Sequence, residues 1–147
     1  MTANNPRFGY HFAKLHRLMV SLCKQDISKL GIQASQMPFI AELLHHGDDD
    51  PITQDELSAA LVIDKAATAR ALYQLEQNGF VLRRVNPENR RQKLVYATEK
   101  ARGVQARFYS TLQTASDVFT RDFSKEEMEH VLGMMNRMIA NAMGATK

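Results

Sequence analysis

Between Phe80 and Thr98 the chain reads FVLRRVNPENRRQKLVYAT, two short β-rich apolar stretches around a polar turn. Arg83, Arg84, Arg90, Arg91 and Lys93 ride on this stretch and only Glu88 opposes them. A solvated surface hairpin normally mixes signs. The bias continues: from Arg83 to Arg107 there are eight basic residues and two acidic ones, a segment charge of +6 in a chain whose net charge is +3. The rest of the chain is therefore slightly acidic. A local basic patch on such a body is the footprint of a polyanion partner.

The stretch just before it, DKAATAR from Asp64 to Arg70, suits the same partner. Small side chains let a helix lie deep in the DNA major groove, which is about as wide as a helix. Ala66, Ala67 and Thr68 could meet thymine methyls or base edges. Lys65 and Arg70 could reach guanine or phosphate, and Tyr73 or Gln74 the backbone. Taken alone, this is also how an ordinary exposed helix face reads. Followed by the basic hairpin, it reads as a recognition helix. In the hairpin, Arg90 and Arg91 sit at or beside the tip, where an arginine can enter the minor groove. Arg83, Arg84 and Lys93 would line the strands and meet phosphates, which position a protein but carry little sequence information. Asn89 completes the candidate DNA-binding set at the tip.

The elements that must hold these residues are mostly helical. Phe8, Phe12, Leu15, Leu18, Met19, Leu22 and Ile27 recur at helical spacing up to about Leu30, and Gly31 is a stop. Ser35 could cap a second helix through Met37, Ile40, Leu43 and Leu44, with Pro38 in its first turn and Gly47 closing it. The stretch DDDP, Asp48 to Pro51, is a loop. Thr53 and Glu56 have capping-box spacing, so a short helix starts there. Asp64 caps the next helix, Lys65 to Gln77, with Leu72 and Leu75 buried and Asn78-Gly79 as the stop. Val81 to Val85 and Lys93 to Ala97 are β-rich, and NPEN between them is turn chemistry. Thr98 with Glu99 opens a long helix to about Asp122. Ser124 begins the last with the partial capping-box pattern SKEE, its apolar positions being Met128, Val131, Leu132, Met135, Met138, Ile139 and Ala142. Helix, the short turn LVID (Leu61 to Asp64), helix and hairpin make a winged helix-turn-helix.

At this point the residues resemble a family. Ala71 to Ala101, ALYQLEQNGFVLRRVNPENRRQKLVYATEKA, resembles the pattern of the MarR (multiple antibiotic resistance regulator) family of transcriptional regulators. That pattern is a Leu-Glu-x-x-Gly helix end, a basic strand, an Asp-Pro-x-Asp-x-Arg wing and a Thr-Glu-x-Gly start to the next helix. The likeness runs from Phe8 to about Met143. Three positions depart from it. Asn86 and Asn89 stand where the family usually has aspartates, so Asn89 cannot make an ion pair with a nearby arginine, though its amide can hydrogen-bond. Ala101 stands in place of Gly and favours a firmer helix start.

The expected fold class is mainly α with a small β-hairpin wing: a winged helix-turn-helix domain flanked by N- and C-terminal dimerisation helices. The expected organisation is one domain over residues 1–147, with the winged part at about 33–98 and the flanking helices at about 8–30 and 99–143. The resemblance implies a homodimer built from these ends, Phe8, Phe12 and Leu15 meeting the Met-rich stripe of Met128, Leu132, Met135, Met138 and Ile139. It implies double-stranded DNA as partner, on a pseudo-palindromic site, and release by a small aromatic or phenolic effector. His11, His16, Arg17 and His45 are the polar residues placed to bind such an anion, although they also read as surface or cap residues.

Other chemistries find less support. The single cysteine, Cys23, excludes an intrachain disulfide and a Cys-x-x-Cys site. It reads as a packed thiol, with a redox sensor as the alternative. His45 and His46 are adjacent and point to different sides of a helix. Glu127 and His130 have Glu-x-x-His spacing, but a di-iron bundle needs that motif twice. A metal-sensing regulator and a winged-helix protein-interaction module remain alternatives. No His-Glu-x-x-His, phosphate-binding Gly loop or nucleophile elbow is present, so no enzyme and no cofactor is expected. No apolar run approaches the ~20 residues that span a bilayer. The start MTANNPRFGYHF lacks a basic stretch followed by an apolar one, so no signal peptide and a cytoplasmic location are expected.

Overall fold

The computed structural model describes residues 5–146; Met1 to Asn4, part of the start read above for a signal peptide, and Lys147 lie outside the described residues. The chain divides into two units, one ending at Gln113 and the other beginning at Thr114.

In the first unit α1 spans Phe8–Ser28 and buries Cys23 and Ile27. Its other apolar face, Phe8, Phe12, Leu15, Leu18 and Leu22, stays exposed. Gly31 follows with φ +84°, the left-handed conformation that ends a helix cheaply only at glycine. A 3-10 turn over Ala34–Gln36 then leads into α2, Met37–His45. The cap here is not Ser35, as expected, but a reciprocal pair of glutamines: Gln33 N–H donates to Gln36 Oε1 at 2.9 Å. Gln36 is buried, and its side-chain amide finds both that backbone group and Gln74 Oε1 at 3.4 Å. Pro38 lies in the first turn of α2, which buries Phe39, Ile40, Leu43 and Leu44.

A two-residue strand β1, Ile52–Thr53, precedes α3, Gln54–Leu61. The capping box forms: Thr53 N–H donates to Glu56 Oε2 at 2.9 Å and Glu56 N–H to Thr53 Oγ1 at 3.1 Å. Strand β1 was not legible in the sequence, because two residues show no alternation. It exists through its partner, pairing Ile52 with Val95 and Thr53 with Leu94. The helix-turn-helix turn is pinned by Ser58, whose carbonyl accepts from Ile63 N–H at 3.1 Å and whose hydroxyl donates to Ile63 O. Val62 therefore takes φ +54°, a conformation that costs an L-residue about 1–2 kcal/mol.

Helix α4 covers Lys65–Gln77, with Asp64 Oδ1 accepting from Ala67 N–H at 2.8 Å. Its inward stripe is Thr68, Leu72 and Leu75, spaced at i, i+4 and i+7. Strands β2, Val81–Asn86, and β3, Asn89–Ala97, pair antiparallel, and the sheet order is β1-β3-β2. Both strands run further toward the tip than expected, leaving Pro87 and Glu88 between them, with a register shift at Val85/Asn86. Helix α5 spans Glu99–Phe119. Thr98 Oγ1 accepts from Ala101 N–H at 3.3 Å and donates to Gly79 O at 2.6 Å. Arg102 ties the start of α5 to the loop before β1, through Asp48 Oδ1 at 2.8 Å and His46 O at 2.9 Å. The core of this unit gathers Ile27, Ile40, Leu57, Leu72, Phe80 and Phe108, all essentially without solvent exposure.

In the second unit α6 spans Lys125–Ala145. Its capping box is complete: Ser124 N–H donates to Glu127 Oε2 at 2.8 Å and Glu127 N–H to Ser124 Oγ at 3.1 Å. No α6 residue is buried, and Leu132, Met135, Ile139 and Met143 are exposed. No described helix is long and apolar enough to cross a membrane.

The joint between α4 and β2 is an ion pair. Arg83 Nη2 lies 3.1 Å from Glu76 Oε1, Arg83 Nε and its backbone N–H reach Glu76 Oε2 at 3.3 and 3.2 Å, and Nη1 reaches Gln54 Oε1 at 3.3 Å. Hydrogen bonds from the Arg83 side chain hold the Glu76 carboxyl below its ordinary range, against the opposing effect of desolvation. A lowered folded-state pKa means that the pair stabilises the fold above the unfolded value, about 4.3. That contribution is lost as pH falls through the lower folded value. Glu76→Gln is expected to cost on the order of 1–2 kcal/mol at pH 7. Its deficit against the wild type, followed by thermal melts from pH 7 to pH 3, should close in the acid range. At Thr68, 0% exposed, the hydroxyl is buried without a hydrogen-bond partner. Thr68→Val removes that cost at constant shape and should raise stability by roughly 1 kcal/mol, read as a higher urea midpoint.

Candidate nucleic-acid interface

The start of α4 and the β2–β3 wing carry the side chains that the sequence singled out. On α4, Lys65, Ala66, Arg70 and Gln74 are exposed, and Ala67 is half-buried. Lys65 Nζ is 3.7 Å from Asp55 Oδ1, an exposed pair that is weak in water. Gln74 accepts one hydrogen bond from Gln36. Arg70 makes no ion pair among the described residues.

Thr68 requires a correction. It was expected at base edges, but it lies on the face of α4 that also carries Leu72 and Leu75, so it packs inward and offers DNA nothing. Arg83 requires another. Expected to meet phosphate, its side chain is only 11% exposed and its guanidinium is spent on Glu76 and Gln54. The strand period of two contains the signal: Arg83 sits two residues from the buried Val81, on the same face of β2.

The wing retains the rest. Arg84, Asn89, Arg90, Arg91 and Lys93 are exposed, and none of the four basic residues has an ion-pair partner among the described residues. Arg84 lies over the Tyr96 ring at 5.8 Å. The two asparagines at the departures from the family pattern brace the tip with amides. Asn86 Oδ1 accepts from Glu88 N–H at 3.1 Å, and Asn86 Nδ2 donates to Gln92 Oε1 at 3.2 Å. Asn89 Oδ1 accepts from Arg91 N–H at 3.2 Å. An aspartate at Asn89 would neutralise part of the tip; an amide leaves the charge of Arg90 and Arg91 intact. One exposed residue beside α4 escaped the sequence reading altogether. Val62, in the LVID turn, is 67% exposed. No periodicity signals it, because its outward placement comes from the bonds that Ser58 makes to Ile63.

The four residues considered for an anionic effector do not converge. His16 borders an apolar pocket of about 470 Å³, walled by Met19, Met37, Phe108 and Leu112 among others. His11, Arg17 and His45 do not line it. His11 is instead bonded through Nδ1 to Arg7 O at 2.8 Å, and His45 sits edge-on to His46 in the last turn of α2. Cys23 is 0% exposed, and burial, with the nearby Asp26 second, pushes its thiol up. It is a protonated core thiol at neutral pH, not a poised thiolate. Glu127, of the Glu-x-x-His spacing, serves the α6 capping box. Among the described residues no three His, Cys, Asp or Glu side chains gather as metal ligands would.

Known proteins share this arrangement. The model of the MarR family matches residues 40–93, which run from α2 into β3. YybA of Bacillus subtilis (strain 168), an uncharacterized HTH-type transcriptional regulator, is 22% identical over 125 residues, 85% of this chain and 81% of its own. A MarR transcriptional regulator from Methanosarcina mazei Go1 superposes with a TM-score of 0.89 at 25% identity, over 96% of this chain and 99% of that one. A putative MarR family regulator from Listeria monocytogenes, solved in complex with a 26mer DNA, has the same fold. Its TM-score is 0.84 at 20% identity, over 92% of this chain and 89% of that one. The winged helix, its basic wing and these likenesses lead to one conclusion: residues 40–93 match the MarR family, and the chain is a DNA-binding transcriptional regulator with the fold of that family, not an enzyme.

Proposed function

We propose that the protein is a cytoplasmic repressor that occupies a pseudo-palindromic operator as a homodimer, excludes polymerase, and is released by a small aromatic or phenolic effector. One observation carries the DNA-binding assignment: Arg84, Arg90, Arg91 and Lys93 stand exposed on one wing without carboxylate partners, beside exposed Lys65 and Arg70 on α4. Guanidinium groups left this way can neutralise phosphates and enter the minor groove. The contacts assigned on α4 are Lys65, Ala66, Ala67, Arg70 and Gln74, and those on the wing are Arg84, Asn89, Arg90, Arg91 and Lys93. The Listeria monocytogenes neighbour of the same fold was solved with a 26mer DNA, which supports DNA as the partner.

The dimer is supported by apolar faces that the single chain leaves exposed on α1 and on α6. A second copy that covers them buries Phe12, Leu18 and Leu22 of one helix and Leu132, Met135 and Ile139 of the other. Two such protomers set their recognition helices one DNA turn apart, about 34–36 Å. An effector that binds a dimer of different spacing shifts the population away from DNA. The pocket at His16 is the effector site best supported, since its volume suits a small ring compound and its walls are mostly apolar, with His16 and Ser35 as the polar side chains. A thermal-shift screen of small phenols should find compounds that raise the melting temperature of the wild type. Met37→Arg, which puts a bulky charge into the pocket wall, should abolish that shift.

Fluorescence anisotropy on DNA flanking the protein's own gene, at several salt concentrations with random DNA beside it, tests the regulator. Salt-steep binding that prefers the flanking DNA is expected. A salt slope near zero would point to a protein partner instead. Arg90→Ala should weaken binding about tenfold and flatten the slope by about one for each protomer engaged, with an unchanged melting temperature. Unchanged affinity would remove Arg90 from the interface.

A further inference from the structure

Val62 breaks two local rules at once. It is β-branched yet has φ +54°, in the left-handed region that favours glycine. It is also the most exposed large apolar side chain among the described residues, at 67%. Neither property stabilises the fold, since the backbone is strained and the side chain buries little. The turn cannot relax by swinging the residue inward. Val62 N–H is held by Ala59 O at 3.3 Å, and Ile63 is fastened to Ser58 through both its N–H and its carbonyl. Ile63, not Val62, takes the half-buried place.

The surface around it is the leading edge of α4. Lys65 and Ala66 are exposed within four residues of it. The two carboxylates nearby are engaged, Asp64 with Ala67 N–H and Asp55 with Lys65. A surface that enters the major groove here meets phosphates, polar base edges and one prominent apolar group. That group is the 5-methyl of thymine, which projects into the major groove. An isopropyl group set against phosphate or a polar edge strips water from it for no return, whereas against a methyl it buries apolar area on both sides. We infer that Val62 is a specificity-determining residue that packs on a thymine methyl in each half-site. This rests on α4 facing DNA, as proposed above.

The test uses duplexes that the full-length wild type enriches from a random pool. Each thymine is replaced in turn by deoxyuridine, which lacks only the methyl. Affinities are measured for the wild type, Val62→Gly and Val62→Asn, and melting temperatures are recorded for all three. The expected result is one thymine per half-site whose replacement weakens wild-type binding about fourfold, the factor that burial of one methyl gives. That penalty should vanish in both variants. Their melting temperatures should match or exceed the wild type's, because glycine and asparagine both tolerate the left-handed backbone. A wild type indifferent to every thymine methyl overturns the inference, and so does a penalty that survives in both variants, which would assign the methyl to Ala66. Lower melting temperatures in both variants would show that Val62 is kept for stability and overturn it as well. A protein that enriches no sequence at all overturns the DNA-facing orientation too, whereas enrichment without a Val62-dependent thymine overturns this inference alone.

Discussion

The contact on which the proposed DNA-binding surface depends is the Arg83–Glu76 pair with Gln54 beside it. One guanidinium joins the start of α3, the end of α4 and the first strand of the wing. A recognition helix and a wing that move independently would each pay to be ordered on binding. Held by a forked arginine, they would approach DNA, in the proposed reading, as one preformed body. A pair this little exposed is also a directional constraint, because only one rotation of β2 against α4 satisfies its hydrogen bonds. The price is that one of the positive charges in the hairpin is internal and does not face solvent.

The charge that remains outside is arranged differently. Wing-tip asparagines supply the turn's hydrogen bonds without carrying charge, so Arg90 and Arg91 keep theirs. The tip is therefore braced by contacts that added salt does not screen, while the groups that would meet a polyanion are those that salt does screen. Structure and attraction are carried by separate side chains in the wing. On α4 the same division holds by face: Leu72 and Leu75 are buried, and Lys65, Ala66 and Arg70 are outside.

Two residues in the helix-turn-helix run against local preference. Thr68 buries a hydroxyl with nothing to bond, and Val62 holds a left-handed backbone with its side chain in solvent. Both lie within the turn before α4 and its first two turns. A fold built from mutually supporting local choices departs from them where something other than stability is served. For Val62 the departure faces outward, where a partner can use it. For Thr68 it faces inward, and the structure shows no use for it.

Much of this architecture was legible in the sequence, because the signals were local. Capping boxes at Thr53 and Ser124 and the cap at Asp64 each need only three consecutive spacings to be recognised, and all three form. The limits of α4 and the place of the basic hairpin follow from periodicity and turn chemistry in the same way. What tertiary structure decided are matters of partnership between distant residues. Strand β1 exists only because β3 lies beside it, and Gln33 displaces Ser35 as a cap because Gln36 is drawn inside toward Gln74. Arg83 and Arg84 are adjacent and chemically identical. Yet one becomes a brace and the other stays in solvent, because the pleat turns one toward Glu76 and the other away. Residue type and spacing thus set which elements form and where charge accumulates, since those depend on neighbours along the chain. Which of those charges is left free depends on what lies across the fold, and only packing supplies that.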